Sequence, residues 1–277
     1  MPELPEVETV RVGLEKLVKG HTIISVEVRW EAIVGMSSAE FDHELAGRTI
    51  EKIERRGKYL LFRLSGGMTM ISHLRMEGAY YTVPTGTAPA KHDEVTFHLD
   101  DRDLFYRDTR KFGRMVLVPD EKTMTIAGLA KIGPEPTDDT LTLEYMVAEF
   151  AKTKTYIKPF LLDQSHIAGL GNIYVDETLW QTKIHPLQPA NSISKRKLGE
   201  LRRNIIDELA RATKHHGTTV HSFTNAFGQA GQFQNELQVY GRVNQPCERC
   251  GTPLVKIKVA QRGTTYCPKC QVLKPVK

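Results

Sequence analysis

The sequence predicts an α+β protein with an N-terminal helix and β-sandwich, a helical second half and a small cysteine-bearing ribbon. Short β-prone runs between turn residues fill the first half of the chain, and this pattern is typical of a β-sandwich. Helical periodicity replaces them from about Gly133 onward. All four cysteines of the 277-residue chain lie near its C-terminus. The sequence therefore predicts separate domains rather than one mixed core.

The first half should begin with a helix and continue as strands. Apolar residues recur at helical spacing before a glycine that is placed to end the helix: Val7, Val10, Leu14, Leu17 and Gly20. An alternating strand follows through Ile24, Val26, Val28 and Trp30. The remaining predicted strands are Ile50–Ile53, Tyr59–Leu64, Met68–Leu74, Tyr80–Val83, Val95–Leu99, Leu104–Tyr106 and Met115–Val118. Residues 100–103 read as a hairpin turn between two of them.

The second half should be helical and end in a hairpin. The predicted helices are Leu143–Thr153, Lys158–Gln164, Ile173–Lys183 and Ser194–His216. The last has the clearest apolar stripe, formed by Leu198, Leu201, Ile205 and Leu209, and Gly217 follows it. Residues 254–259 and 264–266 are β-prone and flanked by cysteine pairs, so they are expected to form the ribbon hairpin.

The cysteine spacing is the strongest metal signal in the chain. Cys247 and Cys250 form one C-x2-C pair, and Cys267 and Cys270 form a second pair sixteen residues later. This spacing is that of a four-thiolate structural zinc site. The alternative is two disulfides in a secreted protein. We expect reduced cysteines and a cytoplasmic protein, because neither a signal peptide nor an apolar run of membrane-spanning length is evident.

The charge is unevenly distributed. Residues 195–277 hold 15 Lys/Arg against 5 Asp/Glu, whereas the rest of the chain holds 23 against 28. A basic C-terminal segment beside a zinc ribbon favours a polyanionic partner, most simply nucleic acid. A solvated basic surface without a partner is the alternative.

The N-terminus suggests covalent catalysis. Removal of Met1 would expose the secondary amine of Pro2, and an α-amine has an ordinary pKa of about 7.7–8.0. Attack of this amine on an aldehyde-level carbon gives a cationic iminium, which acts as an electron sink. Glu3 and Glu6 are placed to move protons beside it. The alternative is a helix that starts with proline and has acidic residues in its first turn.

Four inner motifs suit nucleic acid. They are Gly169–Asn172, Arg55–Lys58, His73–Met76 and Arg110–Gly113. Two glycines beside a helix start allow backbone amides to approach a phosphate, and apolar groups next to cations can fill a gap in a base stack. Each motif alone fits an ordinary turn, strand edge or core residue as well.

Together and in this order, the motifs resemble those of bacterial formamidopyrimidine-DNA glycosylases, within the wider family that includes endonuclease VIII. The resemblance rests on Pro2–Glu8, Ser72–Gly78, Asp108–Gly113, Ala168–Glu177 and the cysteine pairs, and it covers the whole chain. It implies a helix and β-sandwich domain at 1–132, a domain with a helix–two-turns–helix element and a recognition loop at 133–236, and a zinc finger at 237–277. It implies base excision repair of double-stranded DNA that contains 8-oxoguanine or formamidopyrimidines, followed by β,δ-elimination.

The resemblance also implies roles for individual residues. Catalysis would involve Pro2 as the nucleophile, Glu3, Glu6, Lys58 and Arg262. DNA contacts would come from His73, Met76, Arg110, Phe112, Asn172 and Lys258. The lesion pocket would include Glu77, Thr218, Thr219, Val220 and His221. The resemblance further implies one structural zinc ion, no nucleotide cofactor and no membrane partner. It also implies a monomer in the bacterial cytoplasm that associates with the nucleoid when it binds DNA.

Two stretches depart from the pattern of this family. Val220–Phe223 reads Val-His-Ser-Phe where Val-Arg-Thr-Tyr is expected, and Gln261 stands where a glycine is expected before Arg262. Neither departure touches Pro2 or Glu3, so we expect intact activity with an altered ranking of lesions. Two alternatives stay open. One is an endonuclease VIII-type enzyme that prefers oxidised pyrimidines, and the other is a zinc-ribbon DNA-binding protein without catalysis.

Overall fold

The computed structural model describes residues 1–219, 226 and 228–275. The chain forms two compact units. One contains Met1–Ala130 and Thr213–Gln234, and the other contains Lys131–Ala212 and Asn235–Lys277. Among the described residues, none of the helices combines the length and the apolar character that a bilayer crossing requires.

The first unit is a helix-capped β-sandwich. Its helices are α1 (Leu4–Val18) and α2 (Ser38–Leu45). Its strands are β1 (Ile23–Val28), β2 (Ile50–Arg56), β3 (Tyr59–Leu64), β4 (Met68–His73), β5 (Ala79–Pro84), β6 (Asp93–Leu99), β7 (Arg102–Arg107) and β8 (Arg114–Pro119). They form two antiparallel four-stranded sheets, in the orders β1-β6-β7-β5 and β2-β3-β4-β8.

The core of this unit lies between the sheets and under α1. One face of α1 is buried because its apolar residues recur every three or four positions: Val7, Val10, Leu14 and Val18. Strand residues such as Phe62, Phe97 and Tyr106 fill the space from the two sheets. The predicted sandwich is confirmed, and so is the tight turn at residues 100–101 between β6 and β7.

Two local expectations in this unit were wrong. Trp30 does not belong to β1; it precedes a 3-10 turn at Glu31–Ile33, where Lys111 packs over its ring at 4.2 Å. Helix α2 was not expected from apolar periodicity because it is only two turns long. Its signal was a capping pattern: the Ser37 hydroxyl accepts the N–H of Glu40, and Phe41 and Leu45 are buried.

The second unit is helical and carries the ribbon. Its helices are α3 (Leu143–Ala151), α4 (Ile157–Leu162), α5 (Asn172–Thr182) and α6 (Lys195–Lys214). Strands β9 (Val255–Val259) and β10 (Arg262–Tyr266) form the antiparallel hairpin. The predicted apolar stripe of α6 is buried, while its other faces carry the basic residues. The four helices lie within one or two residues of the predicted ranges.

Candidate functional site

The N-terminal segment is buried where α1 begins. Pro2 is buried, whereas Met1 before it is 45% exposed. Glu3 is the N-cap of α1, and the carboxylate of Glu6 accepts the Glu3 N–H at 2.8 Å in a capping box. Both carboxylates are almost fully buried. Pro2 directly precedes this pair of buried carboxylates at the start of α1, and carboxylates are groups suited to proton transfer.

Glu6 also fixes the start of the segment that contains Thr218 and Thr219. Its second carboxylate oxygen accepts the Thr218 N–H at 2.7 Å, and a side chain at Gly217 would collide with that carboxylate. The Thr219 hydroxyl accepts the N–H of Gly231 at 2.8 Å, so both ends of the segment are tied. Glu6 thus connects α1 to the start of the segment that the sequence predicts as a recognition loop. Val220 and His221 lie outside the described residues.

Lys58 and His73 lie at the same end of one sheet, Lys58 in the turn before β3 and His73 at the end of the neighbouring strand β4. Lys58 follows Gly57 in the tight turn from β2 to β3, and His73 ends β4 opposite Tyr59. Burial, with the positive charges of Arg75 and Lys58, lowers the pKa of His73 to about 3. The Nδ1 atom accepts the Arg75 N–H at 2.9 Å, so the neutral ring carries its proton on Nε2. His73 is therefore a neutral hydrogen-bond donor.

Met76, Arg110 and Phe112 lie on two loops at one end of the sandwich. The first loop joins β4 to β5, and the second joins β7 to β8. Met76 and Glu77 are partly exposed, Arg110 is exposed, and Phe112 is 48% exposed with the Arg110 guanidinium 4.9 Å from its ring centre. Phe112 is thus not a core residue. An exposed aromatic residue beside a cation is chemically suited to stack on nucleic-acid bases.

The glycine turn before α5 is organised by a residue that the sequence did not single out. The side chain of Gln164 donates to the Leu170 carbonyl at 2.8 Å and accepts the Gly169 N–H at 2.8 Å. Gly169 has a φ of +87°, which explains why a glycine stands there. This fixed turn leads directly to Asn172, the first residue of α5, which is partly exposed.

Asn172, Lys258 and Arg262 meet at the hairpin. Lys258 lies on β9 opposite Gly263, and Arg262 begins β10; both are exposed. The Asn172 amide donates to the Gly263 carbonyl at 3.1 Å. The second unit therefore brings two predicted DNA-contacting residues, Asn172 and Lys258, to the hairpin that also carries Arg262. Gln261, in the turn between the strands, has a φ of +63°, a conformation that favours glycine.

A buried ion pair, which sequence reasoning missed, holds this hairpin on the helices. Lys158 and Asp176 are both buried, and their charged groups are 2.6 Å apart. Lys158 also donates to the Gly263 carbonyl at 3.1 Å, while Asp176 accepts the Thr265 N–H at 3.0 Å. The only sequence signal was a lysine and an aspartate within helix candidates. Their hydrogen bonds to β10, over separations of 105 positions for Lys158 and 89 for Asp176, are tertiary information.

The four cysteines form a centre suited to one zinc ion. Their sulfur atoms all lie within 4.8 Å of one another, and Cys250 Sγ is 3.5 Å from Cys267 Sγ. A tetrahedral Zn–S distance of about 2.3 Å requires sulfur atoms about 3.8 Å apart, so the set fits. The Trp180 ring N–H donates to Cys247 Sγ at 3.3 Å, which orients the ligand from α5. The predicted structural zinc site is confirmed.

Fold and site together define a class: a zinc-finger DNA glycosylase with a helix–two-turns–helix element. Three family models match this chain. The formamidopyrimidine-DNA glycosylase N-terminal domain matches residues 1–115, the H2TH domain of the same enzymes matches residues 132–224, and the zinc finger found in FPG and IleRS matches residues 244–272. The chain belongs to the formamidopyrimidine-DNA glycosylase family, which confirms the predicted resemblance and enzyme class.

Individual relatives are similar to this chain over nearly its whole length. The formamidopyrimidine-DNA glycosylase of Lactiplantibacillus plantarum is 64% identical over 269 residues, covering 97% of this chain and 98% of the relative. A variant of the Lactococcus lactis enzyme, solved with DNA containing Fapy-dG, superposes with a TM-score of 0.94 at 44% identity, covering 98% of this chain and 100% of the other. The same enzyme with abasic-site DNA gives a TM-score of 0.93 at 44% identity, covering 98% and 99%.

Proposed function

We propose that this glycosylase removes 8-oxoguanine and formamidopyrimidines from double-stranded DNA and then cuts the strand through a Schiff base on Pro2. The observation that carries the proposal is the buried Pro2 at the start of α1, with Glu3 and Glu6 beside it. The relatives named above support the substrate class, because they carry this enzyme name or were solved with Fapy-dG or abasic-site DNA. The small side chain of Pro2 favours removal of Met1 from the mature chain.

The chemistry starts at C1′ of the damaged nucleotide. The unprotonated Pro2 amine attacks C1′, the bond from C1′ to the base breaks, and the base leaves with the electron pair and takes up a proton. The sugar ring opens when its oxygen accepts a proton, for which Glu3 is the donor, and C1′ becomes an iminium carbon. The iminium acidifies the C2′ proton. Loss of that proton expels the 3′ phosphate, and a second elimination expels the 5′ phosphate.

Glu6 serves this chemistry by orientation. Its two oxygens accept the N–H groups of Glu3 and Thr218, so it fixes the N-terminal amine relative to the loop that starts at Gly217. We assign Lys58 and Arg262 to the phosphates next to the lesion, where positive charge stabilises the departing phosphate groups. Lys58 belongs to the first compact unit and Arg262 to the second.

The proposed DNA contacts are of two kinds: some position the protein on the duplex, and others hold the duplex open at the lesion. His73, Asn172 and Lys258 donate to phosphate oxygens, which fixes register without reading sequence. Met76 and Phe112 enter the stack when the damaged nucleotide is extruded, and Arg110 pairs with the orphaned base, because chemistry at C1′ cannot reach a stacked nucleotide. We assign Glu77, Thr218, Thr219, Val220 and His221 to the lesion pocket. Zinc holds the hairpin with Lys258 and Arg262 and takes no part in catalysis.

The remaining assignments are coarser. We propose domains at 1–132, 133–236 and 237–277, a monomer, and a cytoplasmic enzyme that associates with the nucleoid when it binds DNA. One lesion and one Pro2 amine need a single chain. Bacterial relatives support the compartment. The departures at residues 220–223 and at Gln261 are expected to alter the order in which lesions are preferred, because they lie on the proposed loop and hairpin.

The test is borohydride trapping on a duplex with 8-oxoguanine opposite cytosine. We expect a covalent protein–DNA adduct from the mature protein and its loss in Pro2→Gly, because glycine replaces the secondary amine. Pro5→Ala is the matched control, since it changes the same helix start but keeps the Pro2 amine. Binding without an adduct or strand cleavage would make the protein a noncatalytic zinc-ribbon DNA binder. Faster excision of oxidised pyrimidines than of 8-oxoguanine would place it with endonuclease VIII.

A further inference from the structure

Two loops of the β-sandwich lie side by side and are built alike. We call them the insertion loops, residues 74–78 between β4 and β5 and residues 108–113 between β7 and β8. Each loop crosses from one sheet to the other. The residues that flank the two loops are paired across the strands. His73, before the first loop, pairs with Arg114, after the second, and Ala79, after the first loop, pairs with Arg107, before the second. The sheet topology therefore places both loops at the same end of the sandwich.

The two loops share three features of local structure. A side-chain acceptor binds the N–H two residues later: His73 binds Arg75 at 2.9 Å, and Asp108 binds Arg110 at 3.1 Å. Each loop then has a non-glycine residue in the left-handed region, with φ of +56° at Arg75 and +57° at Lys111. Each loop ends in a glycine, at positions 78 and 113. Strained residues held by their surroundings are typical of functional loops.

One tyrosine lies close to both glycines. The Tyr106 ring is fully buried near the end of β7, and a Cβ at Gly113 would lie 1.8 Å from its hydroxyl oxygen and 2.8 Å from Cζ. A Cβ at Gly78 would lie 2.3 Å from the same oxygen and 2.9 Å from Cζ. Neither glycine has a positive φ, so close contacts, rather than the backbone conformation, require glycine there; Tyr106 contributes at both positions, and the Leu74 carbonyl oxygen would also lie 2.6 Å from a Cβ at Gly78. The same hydroxyl therefore touches both loops.

The loops are also joined to each other. The Thr109 hydroxyl donates to the Glu77 carboxylate across the gap between them. Within each loop the N–H of the glycine makes a hydrogen bond that limits movement: Gly78 donates to the Leu74 carbonyl at 2.9 Å, and Gly113 donates to the Asp108 carboxylate at 2.7 Å. Tyr106 in turn packs on Tyr80 with ring centres 4.9 Å apart. The spacing of the insertion loops is thus set from the core of the sandwich.

We propose that Tyr106 is a positioning residue for opening of the DNA duplex: its ring and hydroxyl set the distance between the loop that carries Met76 and the loop that carries Arg110 and Phe112. The inference rests on the proposed function, which places these three residues in the duplex. Two groups can fill the gap left by an extruded nucleotide only when their separation matches it. Tyr106 acts through them and touches neither DNA nor the reacting atoms.

The test measures opening of the duplex separately from catalysis. The probe is a duplex with a tetrahydrofuran site, which cannot be cleaved by this chemistry, opposite 2-aminopurine, whose fluorescence rises when it unstacks. The variants are Gly113→Ala, Tyr106→Phe and their combination. Tyr80→Phe is the control, because it removes a buried hydroxyl that bonds to Ser72 in the same core but contacts neither glycine. Trapping on a single-stranded abasic oligonucleotide reports Pro2 chemistry without any duplex to open.

We expect Gly113→Ala to reduce the fluorescence change and to slow excision from duplex about tenfold to a hundredfold, since misplacement by about an ångström has effects of this size. Discrimination between cytosine and adenine opposite the lesion should fall, while single-strand trapping stays within about twofold of the parent protein. Tyr106→Phe should partly rescue Gly113→Ala, because the closest contact is with the hydroxyl. Tyr80→Phe should behave as the parent in all four measurements.

Three results would overturn the proposal: parental fluorescence and discrimination in a folded Gly113→Ala protein, an equal loss on duplex and on single strands, or no rescue in the double variant. If Gly113→Ala does not fold, the Tyr106→Phe variant alone tests the proposal. We then expect Tyr106→Phe to discriminate less between opposite bases than Tyr80→Phe does. Equal discrimination by the two variants would contradict the positioning role of Tyr106. Failure of the parent protein to form any adduct would instead refute the Schiff-base function. The fluorescence assay would still report on the loops in that case.

Discussion

At the scale of single residues, burial changes what a side chain can donate. His73 is 8% exposed and close to the positive charges of Lys58 and Arg75, so it stays neutral and keeps a donor on Nε2. A neutral donor avoids the cost of burying a second cation next to Lys58. Its sequence motif suggested only a basic group near DNA, and the charge state became evident from the packing.

The His73 pKa predicts a pH dependence of stability. An unfolded histidine has a pKa near 6.5 and the folded one a pKa of about 3, so the unfolded state binds the proton first as the pH falls. The stabilisation is complete above about pH 6.5 and is lost toward pH 3, at roughly 1.4 kcal/mol per pH unit. In urea unfolding between pH 7 and pH 5.5, His73→Gln should lose less stability than the parent. The exposed His43→Gln should follow the parent; parallel curves for His73→Gln and the parent would contradict this.

Two residues, Phe112 and Gln261, show that residue type alone does not determine exposure or backbone conformation. On residue type alone Phe112 fits the core as well as a DNA contact, yet it is half exposed on a loop. The replacement of a glycine by Gln261 was noticed in the sequence as a loss of backbone freedom. Its φ of +63° shows that the turn keeps a left-handed conformation nonetheless.

At the scale of elements, the buried pair of Lys158 and Asp176 determines where the hairpin lies on α4 and α5. Asp176 is on α5 and Lys158 on α4, and each also bonds to the backbone of β10. A buried ion pair is a weak source of net stability, but removal of one partner leaves an uncompensated charge. This asymmetry makes the pair suitable for fixing one arrangement of the hairpin and thereby the position of Arg262.

We therefore expect Lys158→Met to destabilise the zinc-bound protein by about 3 kcal/mol, because it leaves Asp176 buried without its cation. The double variant Lys158→Met with Asp176→Asn should recover much of that loss. Affinity for a tetrahydrofuran-containing duplex should fall in both variants, since both release the Gly263 carbonyl from Lys158. Urea unfolding and fluorescence anisotropy measure the two effects. Equal stabilities of the single and double variants would show that the pair carries no such coupling.

Short elements were harder to predict than long ones for a simple reason. The stripe on α6 runs from Leu198 to Leu209, about three turns, so its period is clear, and its residues are buried as expected. Helix α2 has eight residues and one capping serine, too few for a period to appear. Trp30 continued an alternating strand pattern, but the chain leaves the sheet after Val28. Alternation identifies a strand more reliably than it identifies the end of one.

At the scale of the whole molecule, the zinc centre should be needed for DNA binding and not for the amine chemistry. The ribbon has a small core of cysteines, Val239, Leu254 and Trp180. Removal of zinc by a chelator should unfold residues 244–272, because so thin a core cannot fold alone. Hydrogen exchange should rise there and stay unchanged in α1. Duplex affinity should fall, while trapping on a single-stranded abasic oligonucleotide persists.

A chelator already saturated with zinc is the control for that experiment. Protected amides in residues 244–272 after metal removal would show that the ribbon folds without the ion. Equal losses of duplex binding and single-strand trapping would show that the centre supports the catalytic unit as well, contrary to the separation of Pro2 and the cysteines into different compact units.

The sequence by itself determined the sandwich, the long helices, the zinc ligands and the enzyme family, because periodicity and motif spacing are local properties of the chain. It also supplied the site residues as candidates whose roles remain predictions, as do the domain limits. Only the tertiary structure decided the neutral state of His73, the bridge from Glu6 to Thr218, the pair of Lys158 with Asp176 and the contact of Tyr106 with both insertion loops. Each of these joins residues distant in sequence, and such contacts and the burial that accompanies them exist only after the chain has folded.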